Sequence, residues 1–170
     1  MHYIPISIQD IDLLQALAIR TYIDAFAHKN KPGVLESYVE HAFAKANLRQ
    51  QLLDKNSYWY FIQTNDTIIG YLKLNIGSTQ TEFQDQDGLE IERIYIDTPY
   101  LNKGFGKKGI DFAISQAHTL EKSYIWLGVW EENPDAIRFY KKNGFKITGT
   151  HQYDMIAEIQ TDYIMQLHFS

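Results

Sequence analysis

Apolar positions recur at helical spacing early in the chain and at strand spacing, or without a break, further on. From Ile11 onward, Leu14, Ala18, Tyr22 and Ala25 return every three or four residues, the interval that sets side chains on one face of a helix. Asp10 stands where an N-cap would, and Pro32-Gly33 interrupts the pattern. A second helical stretch follows, its final part striped by Leu48, Leu52 and Leu53. Before both, the weak alternation of residues 2–8 predicts a short strand. Tyr58 to Gln63 is aromatic and β-branched, Asn65-Asp66 is a turn pair, and Thr67 to Ile76 can pair back, so a hairpin is expected.

Leu89 to Asp97 predicts another strand, ended by Thr98-Pro99. Gly104 to Leu120 reads as a helix with Ile110, Ala113, Ile114 and Ala117 on one face. Ser123 to Trp130 is apolar at nearly every position, as a central strand covered on both faces should be. Asn133-Pro134 opens a short helix, the asparagine as N-cap and the proline at the first helical position, and Asn143-Gly144 closes it with a left-handed residue. Phe145 to Tyr153 and Thr161 to Phe169 read as two last strands. The order β-α-α-β-β-β-α-β-α-β-β predicts an α/β (α+β) domain around a mixed sheet, partly parallel, with right-handed crossovers. At 170 residues the chain suits a single domain with a real core.

Composition narrows the chemistry. There are no cysteines, which excludes disulfides, a thiolate nucleophile and cysteine-held metals. The six histidines show no metal spacing, so no metal is expected, and His118 and His151 read as structural. With 16 basic and 21 acidic residues the net charge is −5, which argues against a nucleic-acid partner. No apolar run approaches the about 20 residues of a membrane span. No basic segment followed by an apolar one opens the chain, so a cytoplasmic location is expected.

The sharpest local signal is Leu101-Asn102-Lys103-Gly104-Phe105-Gly106-Lys107-Lys108, after a predicted strand and at the start of a predicted helix. Two glycines let backbone approach a ligand, and a helix start offers unpaired N–H groups and a positive dipole end to phosphate. A glycine turn with solvated lysines is the plain alternative. The segment is not a P-loop, and Gly109 falls at the wrong spacing for a dinucleotide fingerprint.

Four segments in order, residues 89–96, 102–107, 126–133 (Trp-Leu-Gly-Val-Trp-Glu-Glu-Asn) and 139–145 (Phe-Tyr-Lys-Lys-Asn-Gly-Phe), resemble the GNAT N-acetyltransferase superfamily. Together with Gln160-Thr161-Asp162-Tyr163-Ile164-Met165, the third segment is similar to the bacterial Pai-type spermidine/spermine acetyltransferases. The resemblance implies acetyl-CoA as co-substrate. It implies that Asn102, Lys103, Gly104, Phe105, Gly106 and Lys107 cradle the pyrophosphate, that the strand around Ile94, Tyr95 and Ile96 lends its backbone to the pantetheine arm, and that Asn133 bonds that arm. Leu101 departs from the polar residue that usually opens the superfamily's phosphate loop. Tyr140, seven residues past Asn133, is the implied general acid, since a phenol is protonated at neutral pH. Lys142 is a candidate for a coenzyme phosphate. Glu90 is the implied base. Glu92, two residues on, shares its sheet face, and neighbouring carboxylates raise one another's pKa.

Residues 82–92 hold Glu82, Asp85, Asp87, Glu90 and Glu92 with no basic residue. Residues 101–108 hold three lysines and no acid. That layout suits a phosphate-bearing donor and a small cationic amine as acceptor, foremost a polyamine. A protein N-terminus or lysine as acceptor, and an acetyl-CoA-binding regulator with little catalysis, are the alternatives. A monomer or a homodimer is expected.

Overall fold

The computed structural model describes residues 1–27, 33–154 and 159–169. In chain order the elements are β1 (His2–Pro5), α1 (Ile11–Phe26), α2 (Val34–Ala42), α3 (Lys45–Leu52), β2 (Ser57–Thr64), β3 (Thr67–Ile76), β4 (Gly88–Ile96), α4 (Phe105–Thr119), β5 (Tyr124–Trp130), α5 (Pro134–Lys142), β6 (Lys146–Asp154) and β7 (Ile159–His168). The strands form one mixed sheet in the order β1-β2-β3-β4-β5-β7-β6. Among the described residues only the β4–β5 pairing is parallel, reached through the α4 crossover. The remaining neighbours are antiparallel.

Three local expectations change. The helical stretch after residue 33 is two helices, α2 and α3. Phe43 is drawn into the core at 1% exposure, and Ala44, with ψ 136°, is too extended to continue a helix. The first strand stops at Pro5 instead of continuing to residue 8. Asp10 does not cap α1 with its side chain; its carboxylate accepts from the Ser7 N–H at 2.9 Å and the Ser7 hydroxyl at 2.7 Å, which closes the 3-10 turn before α1. The break expected at Pro32 lies outside the described residues.

Each sheet face buries its own core. On one side Ile110, Ala113 and Ala117 of α4 cover Leu72, Leu74, Leu89, Ile91, Ile125 and Leu127, with α5 packed at the margin. On the other, Leu14, Leu17 and Ala18 of α1 and Phe43 and Leu48 beyond it cover Trp59, Phe61 and Tyr71. Gly109 sets the α4–β4 distance: a Cβ there would lie 2.7 Å from Ile94 Cδ1. Within this sheet β4 and β5 are laddered only from Gly88–Glu90 to Tyr124–Trp126. Beyond that point the two strands part, and the sheet opens in its middle.

Candidate active site

A β-bulge shapes the opening. Lys73 pairs with Arg93 and Leu74 with Ile91, so Glu92 is an extra residue in β4, and the strand bends there. A cavity of about 400 Å3 occupies the gap, walled by residues 90–96 of β4, Gly128 to Trp130 of β5, α1, α5 and β7. The Asp97 N–H donates to Ile69 O at 2.8 Å, toward β3. By the period-two alternation of a strand, the peptide groups of Ile94 and Ile96 therefore turn away from β3, toward the gap. The Tyr95 ring stacks on Tyr71 at 5.7 Å.

The glycine loop follows β4. Gly104 immediately precedes α4 with φ +82°, a left-handed conformation that glycine adopts without steric cost. The first amides of α4, at Phe105, Gly106 and Lys107, have no partner within the helix and form its positive end. A Cβ on Gly106 would lie 3.2 Å from the Phe139 ring, so the glycine lets this turn sit against α5. The lysines are less free than the sequence suggests. Lys107 pairs with Asp111, one turn on, at 2.6 Å, while the Lys103 and Lys108 ammonium groups lie over the rings of Tyr100 and Phe105. Lys142 is exposed in the last turn of α5.

Glu90 and Glu92 share a face, as their spacing predicts, and share the amide of Asn75, at 2.9 and 2.6 Å. Glu90 is 2% exposed and also accepts from the Thr81 hydroxyl at 2.5 Å and the Thr81 N–H at 3.0 Å. Burial, and then the Glu92 charge, push its pKa up. Glu92 goes the other way. Burial alone would raise it, but Arg93 at 3.4 Å and the Lys73 ammonium together hold it below its ordinary value.

The acidic stretch divides. Glu82, Glu90 and Glu92 line the cavity; Asp85 and Asp87 do not. Asp85 instead accepts from the Tyr124 hydroxyl at 2.5 Å, the Asp87 N–H at 3.0 Å and the Gly88 N–H at 2.7 Å, and so fastens the loop before β4. Two acids from distant parts of the chain take their place, Asp24 of α1 and Asp162 of β7. Burial pushes Asp162 up to about 6; Glu131 acts in the same direction and His151 against it. His151, read from the sequence as structural, also lines the cavity, paired with Glu82. His118 lies against the Phe169 ring, tilted by 38°, at 4.4 Å.

Tyr140 projects from α5 into the cavity wall, and burial pushes its phenol up to about 12. The Asn133 side chain accepts from the Ala136 N–H at 3.4 Å as the N-cap of α5, and the residue also lines the cavity. Tyr22, Phe26, Tyr38 and Trp130 supply an aromatic wall that sequence reasoning missed, as it missed Asp24 and Asp162. Tyr22 reads only as part of a helix stripe. Asp162 carries one usable signal, a lone acid within a predicted strand. Among the described residues no cluster of three or more His, Asp or Glu could hold a metal ion, and no helix is long and apolar enough to cross a membrane.

The pattern of the Acetyltransferase (GNAT) family matches residues 20–145. An uncharacterized N-acetyltransferase of Lactobacillus delbrueckii subsp. lactis is 31% identical over 163 residues, 96% of this chain and 94% of that protein. A spermidine N(1)-acetyltransferase of Thermoplasma acidophilum is 24% identical over 160 residues, 90% of this chain and 92% of that protein. Among solved structures, the PaiA N-acetyltransferase of Thermoplasma acidophilum in complex with coenzyme A superimposes with a TM-score of 0.81 and 22% identity. That match covers 99% of this chain and all of the other.

Proposed function

Because the chain belongs to the GNAT acetyltransferase family, and so is an acetyl-CoA-dependent N-acetyltransferase, we propose that its acceptor is a small amine with more than one positive charge, a polyamine such as spermidine or spermine. The observation that carries the reading is the charge of the cavity. Asp24, Glu82, Glu90, Glu92 and Asp162 line it against one permanent cation, Arg93, and an imidazole, His151, beside an aromatic wall. Carboxylates attract ammonium groups and π faces hold them, while alkyl segments pack on the rings. The likeness to a spermidine acetyltransferase supports the same choice.

The donor's place follows from the opening. Peptide groups of Ile94 and Ile96 face the gap as they would face a neighbouring strand, and can take a pantetheine arm in that strand's stead. The Gly104 turn and the first amides of α4 receive the pyrophosphate. The Phe139–Gly106 contact brings the last turn of α5 beside that loop, within reach of a phosphate for Lys142. Leu101 withdraws one polar side chain but none of the backbone donors.

In the transfer the amine nitrogen forms a bond to the thioester carbonyl carbon, the carbon–sulfur bond breaks, and the sulfur needs a proton. Tyr140 supplies it: burial keeps the phenol protonated at neutral pH. Tyr140→Phe keeps the ring and should lower turnover by about 10²–10⁴-fold with little change in acetyl-CoA affinity. The acceptor is tested by following CoA release with spermidine, spermine, simple monoamines and a lysine-bearing peptide side by side. Polyamines should have the highest kcat/KM, with an advantage that shrinks as salt rises. A peptide or monoamine accepted as well as spermidine at low salt would overturn the polyamine reading.

A further inference from the structure

Both carboxylates that the sequence singles out for proton removal are occupied. Thr81 and Asn75 donate three hydrogen bonds to Glu90, and Lys73, Arg93 and Asn75 hold Glu92. Glu92 is held below its ordinary pKa by these partners, and at Glu90, although burial and the Glu92 charge raise its pKa, the three donors already occupy the oxygens that an incoming ammonium group would have to reach. Asp162 stands differently. Its carboxyl lines the same cavity from β7, on the wall opposite β4, and among the described residues it accepts no hydrogen bond. Beside it is Gly128, where a Cβ would lie 3.5 Å from Asp162 Oδ2. Any longer side chain at 128 would crowd the carboxyl, so the glycine leaves its approach clear. Gly128 also lies in the part of β5 beyond the ladder with β4, so Asp162 borders the gap where the thioester is to be presented.

We propose that Asp162 is a further catalytic residue, the base that takes a proton from the acceptor's ammonium group at the opening between β4 and β5. The ammonium N–H bond breaks and its proton passes to the Asp162 carboxylate and on to solvent. The electron pair left on nitrogen forms the C–N bond as the C–S bond breaks. The second proton lost by nitrogen, as the amide forms, replaces the one that Tyr140 gives to sulfur. This rests on acetyl transfer to an amine and not on which amine is used.

The charged surroundings agree with the role. Burial lifts Asp162 to about 6, so at neutral pH it is mostly ionised yet holds a proton better than an ordinary carboxylate. His151, opposite it on β6, opposes that shift when charged and is itself tied to Glu82; Glu131, after β5, reinforces it. Asp24, Tyr22 and Tyr38 from the helices, the Glu90–Glu92–Arg93 run and Tyr95 of β4, and the Tyr140 phenol of α5 are the other titratable groups lining the cavity. With so many ionisable groups around one cavity, the test compares variants instead of relying on the position of one midpoint.

With acetyl-CoA saturating, kcat/KM for the best amine is measured over roughly pH 6–10 for the parent, Asp162→Asn, Asp162→Ser and Glu90→Gln. CoA affinity is followed by calorimetry and folding by thermal melts. The Asp162 variants should bind CoA like the parent and lose about 10²–10⁴-fold in kcat/KM near neutrality. The deficit should shrink about tenfold per pH unit as the solution itself deprotonates the amine. Two variants of different size guard against one that does not fold. A deficit of equal size at every pH, or an unchanged kcat/KM, would overturn the assignment. A parent that releases no CoA with any amine would instead refute the acetyl-transfer reading.

Discussion

Lys73 and Arg93 sit side by side on the sheet face beneath the helices, yet removing one should hurt far more than removing the other. Lys73 is 4% exposed, donates to Gln51 Oε1 at 2.9 Å, pairs with Glu92 and lies 5.0 Å from the Trp59 ring. Burial drives its pKa down, and attraction to Glu92 recovers only part of that. Its charge is therefore less comfortable in the folded protein than in water. Arg93 keeps its charge, raised net by Glu92 despite burial, and stacks over Phe43 at 4.9 Å and Trp59 at 5.5 Å. Breaking a buried pair commonly costs about 3–5 kcal/mol because it strands the other charge. Lys73→Met keeps the packed stem and leaves Glu92 with Arg93 and Asn75, so the loss should be about 1–2 kcal/mol. Arg93→Met removes the larger counter-charge of Glu92 and two cation–π contacts, each worth about 0.5–2 kcal/mol, and should reach the full about 3–5 kcal/mol. Urea unfolding at neutral pH, with equal m-values, reads the difference directly. If Lys73→Met unfolds at the lower urea midpoint, the argument that burial outweighs pairing at Lys73 is wrong.

Three further outcomes are expected. Gly106→Glu should abolish CoA binding in calorimetry while the protein stays folded, since it sets bulk against Phe139 and a negative charge where phosphate meets the α4 amides; retained affinity would refute the loop assignment. Asp85→Asn should cost about 1–2 kcal/mol by weakening the Tyr124 and backbone bonds, yet leave the preference for polyamines over monoamines intact, because Asp85 lies outside the cavity; a selective rise in KM for polyamines would contradict this. The folded-state pKa of Asp162 is raised to about 6, so the folded state holds more protons than the unfolded one between about pH 4 and 6 and stability falls as pH rises through that window. Asp162→Asn should thus unfold at higher urea than the parent at pH 8, by roughly 1–2 kcal/mol after discounting for partial solvation, and lose that advantage near pH 4; equal midpoints at pH 8 would refute the shift.

What the sequence discloses here is what is local. Gly104, the helix it opens, and the Asn133-Pro134 start all depend on neighbours within a turn, and each appears where its residues say. Glu90 and Glu92 share a face because alternation alone places them so. The break at Phe43-Ala44 was hidden, since it comes from Phe43 finding a core built by α1 and β2, not from any helix breaker. The bulge at Glu92 is equally silent in sequence: it appears only when β3 fixes the register. The acidic stretch misled because five carboxylates close in sequence stand in different places in space, while Asp24 and Asp162, nearly the whole chain apart, meet across one cavity. Ring-lined walls such as Tyr22 and Trp130 look like ordinary core until the β4–β5 gap shows which side of them is open.

The parting of β4 and β5 gives this sheet two extra edges in its interior. A free edge invites any extended segment to pair with it, whether a coenzyme arm or the strand of another molecule, and self-association through such edges is a common route to aggregation. The features at this edge discriminate between the two. The bulge puts Glu92 out of register with any straight incoming strand, and the Asp162 carboxyl, which accepts no hydrogen bond among the described residues, would be buried beneath a foreign backbone. A narrow, flexible arm with few side groups meets neither obstacle. The irregularity that opens the sheet thus also acts as a filter on what may close it, and straightening β4 by deleting the extra residue should make the protein prone to aggregation as well as inactive.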